Sequence, residues 1–244
     1  MELRLDTTKA VLQIRGDGPA LSAAAGRAGL EAPVPTCPGW TARDLVGHVG
    51  SVYHRAAAVV RDGLREPAPS VQPPAEDLIA WYDAAHADLV TALRTSDLTR
   101  EVYAFVGPQP ASWWARRIAH ETVVHRADAE LAAGAAPPRV DAVVAVDGID
   151  EVLTLFLSRA PASALSGQSV AVHTPDERWH VTLSPQGAVV QRGSDAPADG
   201  LIAGTPSHVL YHLWGRLPAD EVDERGDATA RAALRTALRQ ATGG

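Results

Sequence analysis

Residues 34–63 read VPTCPGWTARDLVGHVGSVYHRAAAVVRDG, and the character of the chain changes at Thr41. Before it, Pro35, Pro38 and Gly39 do not sustain a helix. The Thr41 hydroxyl is placed to accept from the amide of Asp44, three residues on, and the Asp44 carboxylate sits against the positive end of a helix. Beyond the cap, Leu45, Val49, Val52, Ala56 and Val59 recur at helical spacing. The stretch therefore predicts an amphipathic helix from Thr41 to about Arg61, stopped by Gly63.

Outward from this helix the pattern repeats. Residues 6–29 are Ala- and Leu-rich, with apolar positions at Val11, Leu12 and Leu21, and Gly16, Gly18 and Pro19 are expected to break or kink the segment. Residues 64–75, LREPAPSVQPPA, hold four prolines and read as a loop. A third helix is expected over about Glu76 to Thr95, with Leu78, Ile79, Tyr82, Leu89 and Leu93 inward. The stretch DLTREVYAFVGPQP is a crossover too polar and proline-marked to be helical throughout, and a fourth helix follows from about Ala111 to Ala133.

After GAAPPRVD the period shifts. Residues 141–158 suggest one more helix, and then QSVAVHT, RWHVTLS, GAVVQRG and GLIAG are short β-rich runs separated by Pro, Gly and Asp. Residues 205–217 and 227–241 return to helix, the first capped by Thr205 with Pro206 behind it. The expected class is α+β, with a helical bundle over 1–138 and a smaller α/β domain over 139–244.

Composition narrows the partners. A formal charge of −7, with arginines scattered among acids, argues against a phosphate-tracking surface, so no nucleic acid is expected. No run approaches the ~20 apolar residues of a membrane span, and the N-terminal stretch lacks the basic-then-apolar layout of a secretory signal. A cytoplasmic protein, monomer or homodimer, is the expectation. The single Cys37 excludes an internal disulfide or a multi-cysteine metal cluster, so a metal has to be held by His, Asp and Glu. One lysine, Lys9, among many Arg, Ala, Gly and Pro is the mark of a GC-rich genome.

The fourth helix carries IAHETVVHRADAE, residues 118–130. Glu121 and His125 are four apart and share a helix face, with Cβ atoms about 5 to 6 Å from each other. His120 is rotated about 100° away and falls outside that face. Asp128, three beyond His125, is placed to orient its imidazole through the second ring nitrogen; the alternative is a surface pairing with Arg126. His48, between Gly47 and Gly50 in the capped helix, supplies a second imidazole. His48, Glu121 and His125 together make the ligand set of an open zinc site with a position left for water or substrate. The alternative is a solvated Glu/His pair beside a hydrogen-bonded core histidine.

Three ordered stretches, VPTCPGWTARDLVGHVG, WWARRIAHETVVHRADAE and LWGRLPADEVDERGDATARAALRTAL, resemble the mycothiol-dependent maleylpyruvate isomerase family of actinobacteria over nearly the whole chain. The resemblance implies a DinB-like four-helix bundle joined to a smaller α/β domain, and a divalent metal, usually zinc, on His48, Glu121 and His125. It also implies that Arg216, in LWGRLP, contacts the thiol cofactor or a substrate acid; a guanidinium suits a carboxylate, and capping the helix that ends near 215 is its other role. Metal-bound thiol loses its proton far below the free pKa of about 8.5. The thiolate then attacks a small electrophile, either adding and leaving again (isomerisation) or staying attached (S-transfer). Hydrolysis by zinc-bound water and non-catalytic binding of a small molecule or metal are the rival functions.

Several residues are given structural roles: Cys37 in packing, Trp40, Trp113 and Trp114 at the bundle end, and His54 and His86 as surface or core histidines. His208 and His212 repeat the four-residue spacing with no third ligand, so a second metal is not expected.

Overall fold

In the computed structural model, Thr41 and Asp44 form a reciprocal cap: the Thr41 hydroxyl accepts from the Asp44 amide at 3.3 Å and the Asp44 carboxylate accepts from the Thr41 amide at 2.8 Å. Gly63, at φ 68° and ψ 39°, ends the same helix in the left-handed conformation that an L side chain resists. Residues 5–161 and 167–242 are described, and they divide into two compact units, Leu5–Pro138 and the residues from Arg139 onward.

The first unit is built from α1 (Thr7–Ala28), α2 (Ala42–Asp62), α3 (Leu78–Thr95) and α4 (Ser112–Ala132). Helix α1 packs on α3 and α4, and α2 packs on the same two, which makes a four-helix bundle. Leu45, Leu89, Ile14, Leu21 and Ile118 are fully buried, together with Tyr53 and Tyr82. The two phenols find partners: Tyr53 bonds the Thr122 hydroxyl at 2.8 Å and Tyr82 donates to the Gly18 carbonyl at 3.0 Å. Between α3 and α4, strands β1 (Glu101–Val102) and β2 (Gln109–Pro110) pair antiparallel across the crossover.

One expectation fails here. Gly16, Gly18 and Pro19 neither break nor end the first helix, which runs unbroken from Thr7 to Ala28. Pro19 and Arg15 both face solvent, so water can serve the Arg15 carbonyl that Pro19 leaves without its helical donor. Gly18 has a packing reason: a Cβ there would lie 2.3 Å from the His86 ring. Leu12 is 55% exposed, and Ile14 takes the inward place. Val52 and Ile79 are half-buried rather than core.

The second unit begins with α5 (Ala142–Glu151), whose last turn widens into a π turn, Val152–Phe156, and then tightens into a 3-10 turn, Leu157–Arg159. Strands β3 (Ser169–His173), β4 (Arg178–Ser184), β5 (Gly187–Arg192), β6 (Gly200–Ala203) and β7 (Asp223–Gly226) form one sheet in the order β5-β4-β3-β6-β7. Only β3 and β6 run parallel, because the chain leaving β5 crosses two strands before rejoining the sheet. Trp179 is fully buried and donates from its indole to Asp150 at 3.1 Å. Helices α6 (Pro206–Leu213) and α7 (Ala228–Thr242) complete the unit, α6 capped by Thr205 with Pro206 at its start. Strand β7, sequence DERG, has no apolar alternation to announce it; it is an edge strand held by its backbone pairing to β6. No helix among the described residues is long and apolar enough to cross a membrane.

Candidate metal centre

Helices α2 and α4 bring His48, Glu121 and His125 together. The His48 Nε2 lies 3.0 Å from Glu121 Oε1, and the His125 Nε2 lies 3.4 Å from the same oxygen. One ligand atom from each falls within 4.8 Å of the other two. Glycines on either side of His48 let other groups pack close to its helix. A Cβ on Gly50 would meet the Trp81 ring at 2.3 Å, and one on Gly47 would crowd Pro73 at 3.1 Å. Both neighbours pack directly on the α2 backbone around His48.

The second oxygen of Glu121 and the second nitrogen of His125 are also engaged. Arg117, one turn before Glu121 on α4, bonds Oε2. Asp128, fully buried, accepts from His125 Nδ1 at 2.8 Å. An ionised carboxylate only accepts, so Nδ1 carries a hydrogen and Nε2 is the ring nitrogen turned toward Glu121. The hydroxyl of Thr36 donates to the other oxygen of Asp128, and the Cys37 Sγ lies 3.6 Å from Oδ2. Trp40 covers the imidazoles, its ring 5.0 Å from that of His48 and stacked at 6.3 Å and 19° on that of His125.

Electrostatics follow from these contacts. Burial alone would raise the Glu121 carboxyl, but the Arg117 guanidinium and the hydrogen bonds from His125 and His48 hold it well below the usual carboxylate range. Burial opposes charge on His125, yet the bonds to Asp128 and Glu121 lift it to about 9. Without a metal, the carboxylates of Asp128 and Glu121 thus favour the protonated form of His125.

The donors fit a divalent ion of the zinc type: two imidazole nitrogens and a carboxylate oxygen, with Asp128 behind His125 and Arg117 behind Glu121. A second group, Cys37, His125 and Asp128, also converges within 4.8 Å. It shares His125 but is closed, since Asp128 is 0% exposed and both its oxygens are engaged. The His48 side chain is 36% exposed and borders an open cleft of about 690 Å³ that is also lined by Trp40, Ser51, Gln72, Pro73 and Leu78. Of the two groups, only the first has a member, His48, on that cleft.

The other sequence-marked residues separate. His120 is buried and belongs to neither group. Arg126 pairs with Asp17 at 2.5 Å, not with Asp128. Trp113 and Trp114 pack edge-on, and Trp114 donates to the Tyr103 carbonyl at 2.7 Å, a bundle-end role. His54 packs at a tilt against Trp81, and His86 bonds the Ile14 carbonyl at 3.0 Å. His208 and His212 face backbone carbonyls of Glu221 and Leu217. In the second unit the Arg216 guanidinium donates to the Trp214 carbonyl at 2.5 Å and lies 5.8 Å over the Trp214 ring, while its amide closes α6 on the Tyr211 carbonyl at 2.7 Å.

Sequence reasoning missed Arg117 and Thr36, and it ranked bundle-end packing above the pocket-wall role for Trp40. Arg117 left a signal in its four-residue spacing from Glu121. Thr36 and Trp40 sit in a loop, where no periodicity points a side chain.

Residues 11–130 match the family described as mycothiol maleylpyruvate isomerase N-terminal domain. Among solved structures, a mycothiol-dependent maleylpyruvate isomerase is 17% identical, with a TM-score of 0.64 over 93% of this chain and 94% of that one. A histidine-to-alanine mutant of an enzyme with the same description is 16% identical, with the same TM-score and coverage. At such identities the likeness is one of fold. No curated protein matches the chain in sequence.

Proposed function

Since the bundle of this chain belongs to the mycothiol maleylpyruvate isomerase N-terminal domain family, we propose that the protein is a cytoplasmic, metal-dependent enzyme. It uses a low-molecular-weight thiol, mycothiol, against a small electrophile, by cis-trans isomerisation or S-transfer. The observation that carries this reading is the convergence of His48 Nε2 and His125 Nε2 on one oxygen of Glu121, with His48 open to the cleft.

His48, Glu121 and His125 would hold the ion. A divalent cation there supplies the charge that keeps a bound thiol ionised at neutral pH. Arg117 keeps Glu121 anionic and leaves Oε1 to the two histidine faces. Asp128 accepts a hydrogen bond from Nδ1 of His125, so Nε2 is the nitrogen that would hold the ion once its proton has left. Trp40 places an aromatic face on both imidazoles and limits water beside them. Arg216, matched to the family's C-terminal arginine, contacts the thiol or a substrate carboxylate, its guanidinium 5.8 Å from the centre of the Trp214 ring.

The test is metal analysis of protein purified without chelator, followed by turnover of an electron-poor alkene acid with and without mycothiol. Stoichiometric zinc and strict thiol dependence are expected. Turnover that persists without any thiol points instead to metal-assisted hydrolysis. Absence of a stoichiometric divalent ion, with His125→Ala leaving small-molecule binding intact, identifies a non-catalytic binding protein.

A further inference from the structure

The loop that precedes α2 closes on itself. The Val34 amide donates to the Trp40 carbonyl at 2.9 Å, Cys37 to Val34 at 3.1 Å and Trp40 to Cys37 at 3.0 Å, and Pro33 bridges Thr41. From this closed loop three side chains meet the candidate centre: Trp40 on the two imidazoles, and Thr36 and Cys37 on Asp128.

Asp128 is the junction. A carboxylate at 0% exposure keeps its charge and its place only through donors. His125 and Cys37 approach Oδ2, while Thr36 donates to Oδ1. The Thr36 bond fixes the plane of the carboxylate, and that plane fixes the imidazole: an Nδ1–H held at 2.8 Å directs Nε2 to the side where Glu121 and His48 lie. Loss of the Thr36 bond removes one of the contacts that hold the Asp128 carboxylate and, through it, the ring of His125.

We propose that Thr36 is a positioning residue for the metal, acting through Asp128 on His125, and that Cys37 serves the same carboxylate instead of ligating the ion. This rests on the metal reading above. It assigns the PTCPGW loop a function in metal affinity, where the sequence alone suggested a helix lead-in and a packed cysteine.

The experiment uses the full chain, metal-stripped and then titrated with zinc against a chromophoric chelator and with Co(II) followed by absorption, in thiol-free buffer. Thr36→Val is expected to weaken zinc binding by roughly 10-fold or more, within the range for loss of an outer partner of a metal-binding histidine. The metal-free protein should still melt cooperatively but at a lower temperature, because the buried Asp128 carboxylate loses a donor. Thr36→Ser, which keeps the hydroxyl, should recover wild-type affinity; a purely structural role would not follow the hydroxyl in this way. The Co(II) protein should show no near-ultraviolet sulfur-to-metal band, and Cys37→Ser should leave its spectrum intact. Wild-type affinity in Thr36→Val overturns the positioning role while leaving the metal reading standing. A sulfur-to-metal band lost in Cys37→Ser overturns the assignment of Cys37 and moves the ion to the Cys37, His125 and Asp128 group. A wild-type protein that binds neither ion removes both the metal reading and the proposal built on it.

Discussion

Arg117 lies one helical turn before Glu121 and bonds Oε2, so that Oε1 alone faces the imidazoles of His48 and His125. The pair is nearly dry, with side chains 6% and 14% exposed. Removing one member of a buried ion pair leaves the other charge uncompensated. Arg117→Gln should therefore destabilise the metal-free protein by about 3 kcal/mol, the lower end for such a loss because the histidines still bond Glu121. A bound cation replaces the missing positive charge, so zinc should raise the melting temperature of the variant by more than it raises that of the wild type. Equal increments in paired melts, with chelator and with zinc, would show that Arg117 acts by packing alone.

The same contacts set a pH dependence with opposite signs in the two states. The metal-free fold raises His125 from 6.5 to about 9. Its contribution to stability is thus full below pH 6.5 and fades as pH climbs through about 9. Glu121 is depressed below 4.5, so its contribution is present above that value and is lost as pH falls through the folded pKa. Metal binding requires the neutral imidazole. Zinc must displace the His125 proton, and apparent affinity should rise by roughly tenfold per pH unit from neutrality toward pH 9. Competition titrations at several pH values check this, and a flat profile over that interval would mean that His125 is not a ligand.

How far the fold was legible depended on whether a residue's task was local. The Thr41 and Asp44 cap and the Gly63 stop are chemistry within one turn, and they stand in the structure as read. Gly16 and Gly18 looked alike in sequence because their difference lies in another helix. Nothing is within 4 Å of a Cβ placed on Gly16, whereas one on Gly18 would enter the His86 ring. Gly16→Ala should stabilise by up to about 1 kcal/mol, the ordinary helix preference for Ala over Gly. Gly18→Ala should destabilise by about 1–3 kcal/mol despite that preference, through overpacking. Denaturant unfolding of the two variants reads the sign directly.

Within the candidate centre, Glu121 and His125 were legible from spacing on one helix, and Asp128 from the next step along the same face. The meeting with His48 depends on how α2 and α4 pack, which no spacing within either helix specifies. Thr36, Cys37 and Trp40 reach the centre through the course of a closed loop. Strand β7 escaped for a related reason: its four residues, DERG, owe their conformation to β6 and have no apolar face of their own.

Arg216 has two roles that make different demands, and a substitution separates them. Its part in ending α6 belongs to the backbone: its amide bonds the Tyr211 carbonyl at 2.7 Å, and the preceding Gly215 takes φ 72°. Both features survive truncation of the side chain. The guanidinium adds a bond to the Trp214 carbonyl and contact with the Trp214 ring at 5.8 Å. Losing these from a half-exposed side chain should cost at most about 1 kcal/mol of stability. If the guanidinium also holds an acidic group of the thiol or substrate, Arg216→Ala should weaken binding by about 1.5–3 kcal/mol, the value of a charge-assisted hydrogen bond. Arg216→Lys should recover only part of this, since an ammonium cannot match the two-point geometry. Calorimetric titration of the zinc-loaded variants with mycothiol, beside their melting curves, distinguishes the roles. Unchanged binding with a large loss of stability would confine Arg216 to the helix end.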